Sequence, residues 1–464
     1  MSASDLHQQT LADICRQIKS GALSAEAVTA ATLQRIEELE PVTRAYALVL
    51  AEQALTRARE LDAARQAGQA AGLLHGVPIA VKDLLDMQGQ VTASGTRVMA
   101  TKVARANATL VDRLLAAGAV LVGKTQLTEG AFGAHHPDIP PPRNPYDIAR
   151  WPGVSSSGSG VAVAARLAYG AIGSDTGGSI RFPSASCGLV GIKPTYGRVS
   201  RHGGFPLAAS LDHFGPMARS AEDAARMLTV IAGVDAADPS SLDEPVPNFA
   251  ARADTPLRLG VDWHYAEQGV SSTVAANVRG VVDDLQRLGV EVVEVRLPRE
   301  HRTLIEDWGL TCSVECAAVH TDYFPAQREL YGPALSALLD LGLRTAQATY
   351  DDLEELRRVF ASALDGLFSS AGIDGLVMPA MPLQPQPAAV MEAGFDDSGF
   401  APFISFTAPF NYSGHPSITL PTGLDQEGMP LSVQFIGPRL GEAGLVQLGY
   451  QVEAAYGLLP PPEL

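Results

Sequence analysis

Short apolar runs alternate with longer stretches of helical period along most of this chain, and that alternation restricts the fold more than any other feature. Val77-Pro-Ile-Ala-Val81, Ala119-Val-Leu-Val122, Leu257-Arg-Leu-Gly-Val261, Val290 to Val295 and Gly375-Leu-Val-Met378 are too short for helices. Val77 to Val81, Ala119 to Val122 and Gly375 to Met378 fit buried strands, and the other two runs are strand-like. Between them, Thr109 to Ala117, Val161 to Leu167, Ser220 to Ile231 and Val274 to Leu288 read as helices, with Gly118 and Gly289 where a stop is wanted. The first seventy residues read as helical: Ser24 can cap a segment carrying Leu33, Ile36 and Leu39, and Ala54, Ala58 and Leu61 mark a second apolar face. A mostly helical stretch runs over 304–367. Strand and helix in alternation predict an α/β fold, with a mixed, mainly parallel central sheet covered by helices on both faces.

Length alone would allow about three domains for 464 residues. No shift in composition marks a boundary, however, and Pro379 to Pro387 reads as a rigid crossing loop. A single domain over 1–464 is expected, with N-terminal helices in 1–70, a core in 71–235 and the rest of the sheet in 236–464. Lys and Arg number 34 against 51 Asp and Glu, a net charge of −17. Duplex nucleic-acid binding, which rests on a surplus of Lys and Arg over phosphates, is disfavoured. Four cysteines (Cys15, Cys187, Cys312, Cys316) are too few for a disulfide framework in so long a chain and read as small buried hydrophobes. No metal-ligand spacing appears. Met1 to Thr10 lacks the apolar core of a signal peptide, and no apolar run is long enough to span a membrane. A cytoplasmic location with no membrane partner is expected.

Gly118-Ala-Val-Leu-Val-Gly-Lys124-Thr125 matches the phosphate-loop pattern GxxxxGK[ST] letter for letter. That pattern requires a strand before the loop, and a loop whose backbone N–H groups cradle phosphates. Here the residues between the glycines are themselves the apolar run. A strand is the better reading, and nucleotide binding stands as a distant alternative.

Two polar clusters carry the chemistry. Gly153-Val-Ser-Ser-Ser-Gly-Ser-Gly160 leads straight into an apolar helix, which sets donors and hydroxyls near the positive end of its dipole. In Asp175-Thr176-Gly177-Gly178-Ser179-Ile180-Arg181, two glycines before a serine let backbone N–H groups converge beside a hydroxyl, as an oxyanion hole and nucleophile need. Asp175 and Arg181 read as a structural pair holding that loop. No G-x-S-x-G elbow and no H-E-x-x-H zinc motif occurs, and His135, His136 and His202 lie in loop-like surroundings that suit solvated or structural roles. The other candidate base is Lys82. Burial would bring its amine toward neutrality, and Asp83, next along a strand, would point to the opposite face.

With these residues in place, the chain resembles the amidase signature family. Gly76 to Asp83 is similar to that family's lysine strand, Gly153 to Gly160 to its Gly/Ser-rich motif, and Asp175 to Pro183 to its nucleophile turn. Ser155 and Ser179 lie 24 positions apart, as the family's bridging and nucleophilic serines do. The likeness continues through Gly191 to Arg198 and Ser210 to Pro216, and returns at Pro409 to Pro416 and Gly428 to Gly437. Val154 and Ser157 stand where glycine is commoner in the family.

The resemblance implies an amidase cleaving a carboxylic amide C–N bond through a seryl acyl-enzyme, without cofactor or metal. Ser179 would be the nucleophile, Ser155 the proton shuttle after a cis Val154–Ser155 peptide, and Lys82 the general base. The backbone N–H groups of Thr176, Gly177, Gly178 and Ser179 would hold the oxyanion. A small-molecule amide is the expected partner, and a homodimer is open. The alternative is the glutaminase (A) subunit of a tRNA-dependent amidotransferase. Those subunits carry a Phe-x-Met-Gly-Ser-Ser-x-Glu-like stretch where this chain has Glu129-Gly-Ala-Phe-Gly-Ala-His-His136. The substrate pocket is expected from loops of 300–400 and from His135 to Tyr146.

Overall fold

Pro78–Lys82 forms a strand in which every residue is buried, the environment its apolar run calls for. In the computed structural model, which describes residues 3–69, 72–253, 256–392 and 401–464, it is β2 of one eleven-stranded sheet. The others are β1 (Tyr46–Val49), β3 (Val120–Thr125), β4 (Gly170–Asp175), β5 (Val190–Lys193), β6 (His213–Ala218), β7 (Arg258–Val261), β8 (Glu291–Glu294), β9 (Gly375–Met378), β10 (Ser417–Leu424) and β11 (Pro430–Ile436). They lie in the order β1-β3-β2-β4-β6-β5-β10-β11-β9-β7-β8. Strands from both ends of the sequence thus share one sheet, and the fold is a single-domain α/β architecture.

The balance of the sheet departs from the expected mainly parallel one. β3-β2-β4 and β9-β7-β8 are parallel, whereas the other six pairings are antiparallel. The apolar runs visible in the sequence belong to the two parallel blocks. β4 (Gly170-Ala-Ile-Gly-Ser-Asp175), at the inner edge of the first block, and β6 (His213-Phe-Gly-Pro-Met-Ala218), between the blocks, have compositions that do not advertise a strand. Close approach explains one of those glycines. A Cβ on Gly215 would lie 2.0 Å from the carbonyl oxygen of Ile192, so no side chain fits there.

The N-terminal region contains a strand as well as helices. Tyr46–Val49 forms an edge strand, antiparallel to β3, with an irregularity between Tyr46 and Leu48. Helix caps follow the sequence: the Ser24 side chain accepts from Ala27 N–H, and Ser220 from Asp223 N–H. Helix Ser157–Ala164 starts earlier than its apolar residues suggest, because the Ser/Gly motif supplies its first turn. All four cysteines are buried and free. Among the described residues no helix is long and apolar enough to cross a membrane.

The phosphate-loop match is strand. Gly118 closes the preceding helix with φ +85°, and residues 120–125 run through the sheet as β3. Lys124 is fully buried in an ion pair with Asp83 at 2.8 Å. Its Nζ also donates to Val91 O at 2.6 Å and Thr92 Oγ1 at 2.8 Å. A lysine committed in this way is not available to a phosphate.

Candidate active site

β2 and β4 lie side by side, with Val81 opposite Ile172. Their C-terminal ends therefore bring Lys82 beside Ser174. The Gly/Ser motif arrives from the other side, with a cis peptide between Val154 and Ser155. Lys82 Nζ donates to Ser155 Oγ at 2.7 Å, and to Ser156 Oγ and Ser174 Oγ at 2.8 Å each. Lys82 is fully buried. That burial pushes its amine well below the ordinary lysine range, against the weaker opposing pull of Asp175 and Asp212. Asp83 points away into its pair with Lys124.

Lys193 makes the useful comparison. It too is fully buried, but its Nζ meets the carbonyls of His415 at 2.6 Å and Pro194 at 3.3 Å. Carbonyls accept and cannot hand over a proton. Hydroxyls do both, so the Lys82 environment serves a neutral amine as readily as an ammonium.

The second cluster forms a tight turn between β4 and the short helix Arg181–Ser186. Asp175 organises it: Oδ1 accepts from Gly178 N–H at 2.9 Å, and Oδ2 accepts from Ile180 N–H at 3.0 Å and Arg181 Nε at 3.0 Å. Arg181 Nη2 reaches Asp175 Oδ1 at 2.8 Å. Both members of the pair are fully buried, and the arginine holds the carboxyl well below the usual carboxylate range against burial. Arg181 Nη1 also donates to Thr407 O at 3.0 Å and Gln434 Oε1 at 3.2 Å, while Asn411 Nδ2 donates to Asp175 Oδ1 at 2.8 Å. Within this buried turn Ser179 is partly exposed. Ser156 N–H donates to Ser179 O at 3.3 Å, tying the cis-peptide loop to the turn.

One expected oxyanion donor is withdrawn. Gly178 has φ +135°, a conformation that favours glycine, and its N–H is spent on Asp175. No acceptor among the described residues takes the N–H groups of Thr176, Gly177 or Ser179. Further out, Thr176 Oγ1 donates to Asp212 Oδ1 at 2.5 Å and Trp308 Nε1 to Thr176 O at 3.1 Å. A Cβ on Gly177 would meet the Trp308 ring at 2.7 Å, so the indole presses on the turn where only hydrogen fits.

The histidines divide. His202 is exposed, and His136 is buried, its Nδ1 accepting from Asp138 N–H at 3.1 Å. His135 does not fit a solvated role. Its Nε2 lies 3.1 Å from Ser157 Oγ, and burial lowers it to about 4, so the ring is neutral at physiological pH. Ser156, Ser174 and His135 are close neighbours to which no role at the site could be assigned from sequence; only the third dimension sets them around Lys82 and Ser155. A cavity of about 360 Å³ opens beside this loop, lined among others by Glu129, His135, Pro140, Trp151, Val154, Pro333 and Met391. Its lining draws on residues within 135–142, on 332–334 and on Met391.

The family model for Amidase matches residues 27–446. The chain belongs to the amidase signature family. It is accordingly an amide hydrolase. Over 452 residues, 96% of this chain and 94% of the other, it is 45% identical to the "Putative amidase AmiD" of Mycobacterium tuberculosis. It is 34% identical to the A-type subunit of the glutamyl-tRNA(Gln) amidotransferase of Myxococcus xanthus, over 96% of each chain. Among solved structures it resembles the peptide amidase of Stenotrophomonas maltophilia, with a TM-score of 0.84, 31% identity and 98% of both chains covered.

In this amidase, replacing Arg181 with Met strands the Asp175 carboxylate in a dry interior. Breaking a buried pair from one side costs about 3–5 kcal/mol. Denaturant unfolding at neutral pH is expected to show a loss of that size for Arg181→Met; a loss under about 1 kcal/mol would remove the pair from its organising role.

Proposed function

We propose that this amidase works through Ser179 as acylating nucleophile, Ser155 as proton shuttle and Lys82 as general base. The observation that carries the reading is the Lys82 amine, fully buried and bonded to three serine hydroxyls, with no carboxylate in contact among the described residues. Neutral Lys82 takes the Ser155 proton as Ser155 takes that of Ser179, and Ser179 Oγ bonds to the amide carbon. The carbonyl oxygen gains the electron pair and is held by the N–H groups of Thr176, Gly177 and Ser179, one such donor contributing about 3–4 kcal/mol. Collapse breaks the C–N bond. The proton returns from Lys82 through Ser155 to the leaving nitrogen, and water repeats the sequence on the acyl-enzyme. Asp175 and Arg181 support the loop and Gly178 shapes it. We read the whole chain as one catalytic domain working in the cytoplasm on a small amide, and leave a homodimer as its candidate assembly.

A fluorophosphonate probe tests the assignment: intact-mass and peptide analysis should find one adduct, on Ser179, and an adduct on any other serine sinks it. A free amidase is favoured over a glutaminase subunit because the segment 129–136 lacks that subunit's Gly-Ser-Ser pattern. The purified chain alone is therefore expected to hydrolyse simple amides. Activity that appears only with glutamine and partner subunits would reverse that preference.

A further inference from the structure

The cavity beside the cis-peptide loop has a lining that bears on which amides can enter. Its volume of about 360 Å³ falls in the range of small-molecule sites, about 300–1,000 Å³. Trp151, Pro152, Val154, Pro141, Pro333 and Met391 form much of its wall, and no lysine or arginine lines it among the described residues. Proline walls are already rigid, so little rotamer freedom is lost when a ligand packs on them.

Among the described residues three ionisable groups line it, and each is engaged by a neighbour. Glu129 is 2% exposed, and both its oxygens accept from Gly332 N–H at 3.0 Å. Burial pushes its carboxyl up to about 7. His135 is held as the neutral ring bonded to Ser157, and His136 is engaged with Asp138 N–H. A substrate carboxylate entering here would leave water and find no cation. The carboxylate of a zwitterion such as glutamine would meet the same lack.

We infer that the cavity selects uncharged amides carrying a bulky apolar, preferably aromatic, group beside the scissile bond, and that it excludes carboxylate-bearing and zwitterionic ones. The inference rests on the Ser179 relay proposed above, because it takes Val154 and Ser155 as the join between pocket and chemistry. The relay does not depend on it in turn.

The test compares 3-phenylpropionamide, its ring para-carboxylate analogue and L-glutamine on the full chain. Each methylene buried in an apolar pocket is worth about 10-fold or more, and the uncharged amide should exceed both others by at least about 100-fold in kcat/KM. Ala334, in the first turn of helix Pro333–Arg344, lines the same wall. An acidic residue there is compatible with the helix N-terminus. Ala334→Glu should lower kcat/KM for 3-phenylpropionamide by about 10-fold or more, whereas the neutral isostere Ala334→Gln should fall clearly less. Equal turnover of the three amides, no turnover of 3-phenylpropionamide, or identical losses in the Glu and Gln variants would each overturn the pocket assignment. Fluorophosphonate labelling, run on the same samples, separates the failures. An adduct on Ser179 with any of those results condemns the pocket alone, and no adduct on Ser179 condemns the relay beneath it.

Discussion

Ser179→Ala is expected to lower kcat/KM toward simple amides by about ten-thousandfold or more, the scale of loss when a catalytic unit loses its nucleophile. The thermal unfolding midpoint should stay where it is. Ser179 is partly exposed, and its turn is held by Asp175, Arg181 and Asn411 through groups that the substitution leaves untouched. Steady-state hydrolysis of an aryl amide and a melting curve on the same preparation measure both quantities. Retention of even a tenth of the activity would move the nucleophile elsewhere. On the proposed mechanism, residual rate above background would come from the N–H groups of Thr176 and Gly177, which the substitution leaves in place.

The second large effect concerns Lys82. As a base it must be neutral, and burial holds its pKa well below the lysine norm. The working form therefore accumulates as pH rises, so kcat/KM should climb along one ionisation and level off well under the ordinary value of about 10.4. Lys82→Met keeps the length and apolar stem of the side chain while deleting the amine. A fall of about a thousandfold is expected, and the remaining activity should lose that rising limb. Near-native activity in this variant, or an unchanged pH profile, would exclude the amine as base. The same burial has a sign for stability. The unfolded chain binds a proton here that the folded chain resists, so the contribution of this group to stability is unfavourable at neutral pH and improves as pH rises toward the unfolded value.

What could be read from sequence follows from where the physical signal is local. The parallel strands β2, β3, β7 and β9 are visible because burial on both faces demands an unbroken apolar run. β4 and β6 are not, because close packing around Gly173 and Gly215 replaces side chains with hydrogen atoms and erases the pattern. β1 is an edge strand of four residues set between two long helices, and its hydrogen bonding to β3 is a long-range fact. At the site, Lys82, Ser155 and Ser179 stand out through unusual residue types in unusual company. The engagement of Gly178 with Asp175 could not be foreseen, since one carboxylate could serve any of several donors within the turn. His135 was hidden for the opposite reason: a histidine in a polar loop looks ordinary until Ser157 is found 3.1 Å away.

The turn that presents Ser179 is held by Arg181, and Arg181 is in turn held by Thr407, Asn411 and Gln434, more than two hundred positions later in the chain. The serine and lysine motifs leave the ribosome well before the contacts that shape them have been translated. A chain cut before Thr407 is therefore expected to keep Lys82, Ser155 and Ser179 while losing every contact that Arg181 makes with Thr407, Asn411 and Gln434. The alignment of the Ser179 turn is thus shared between two regions of the chain that only the folded sheet brings together.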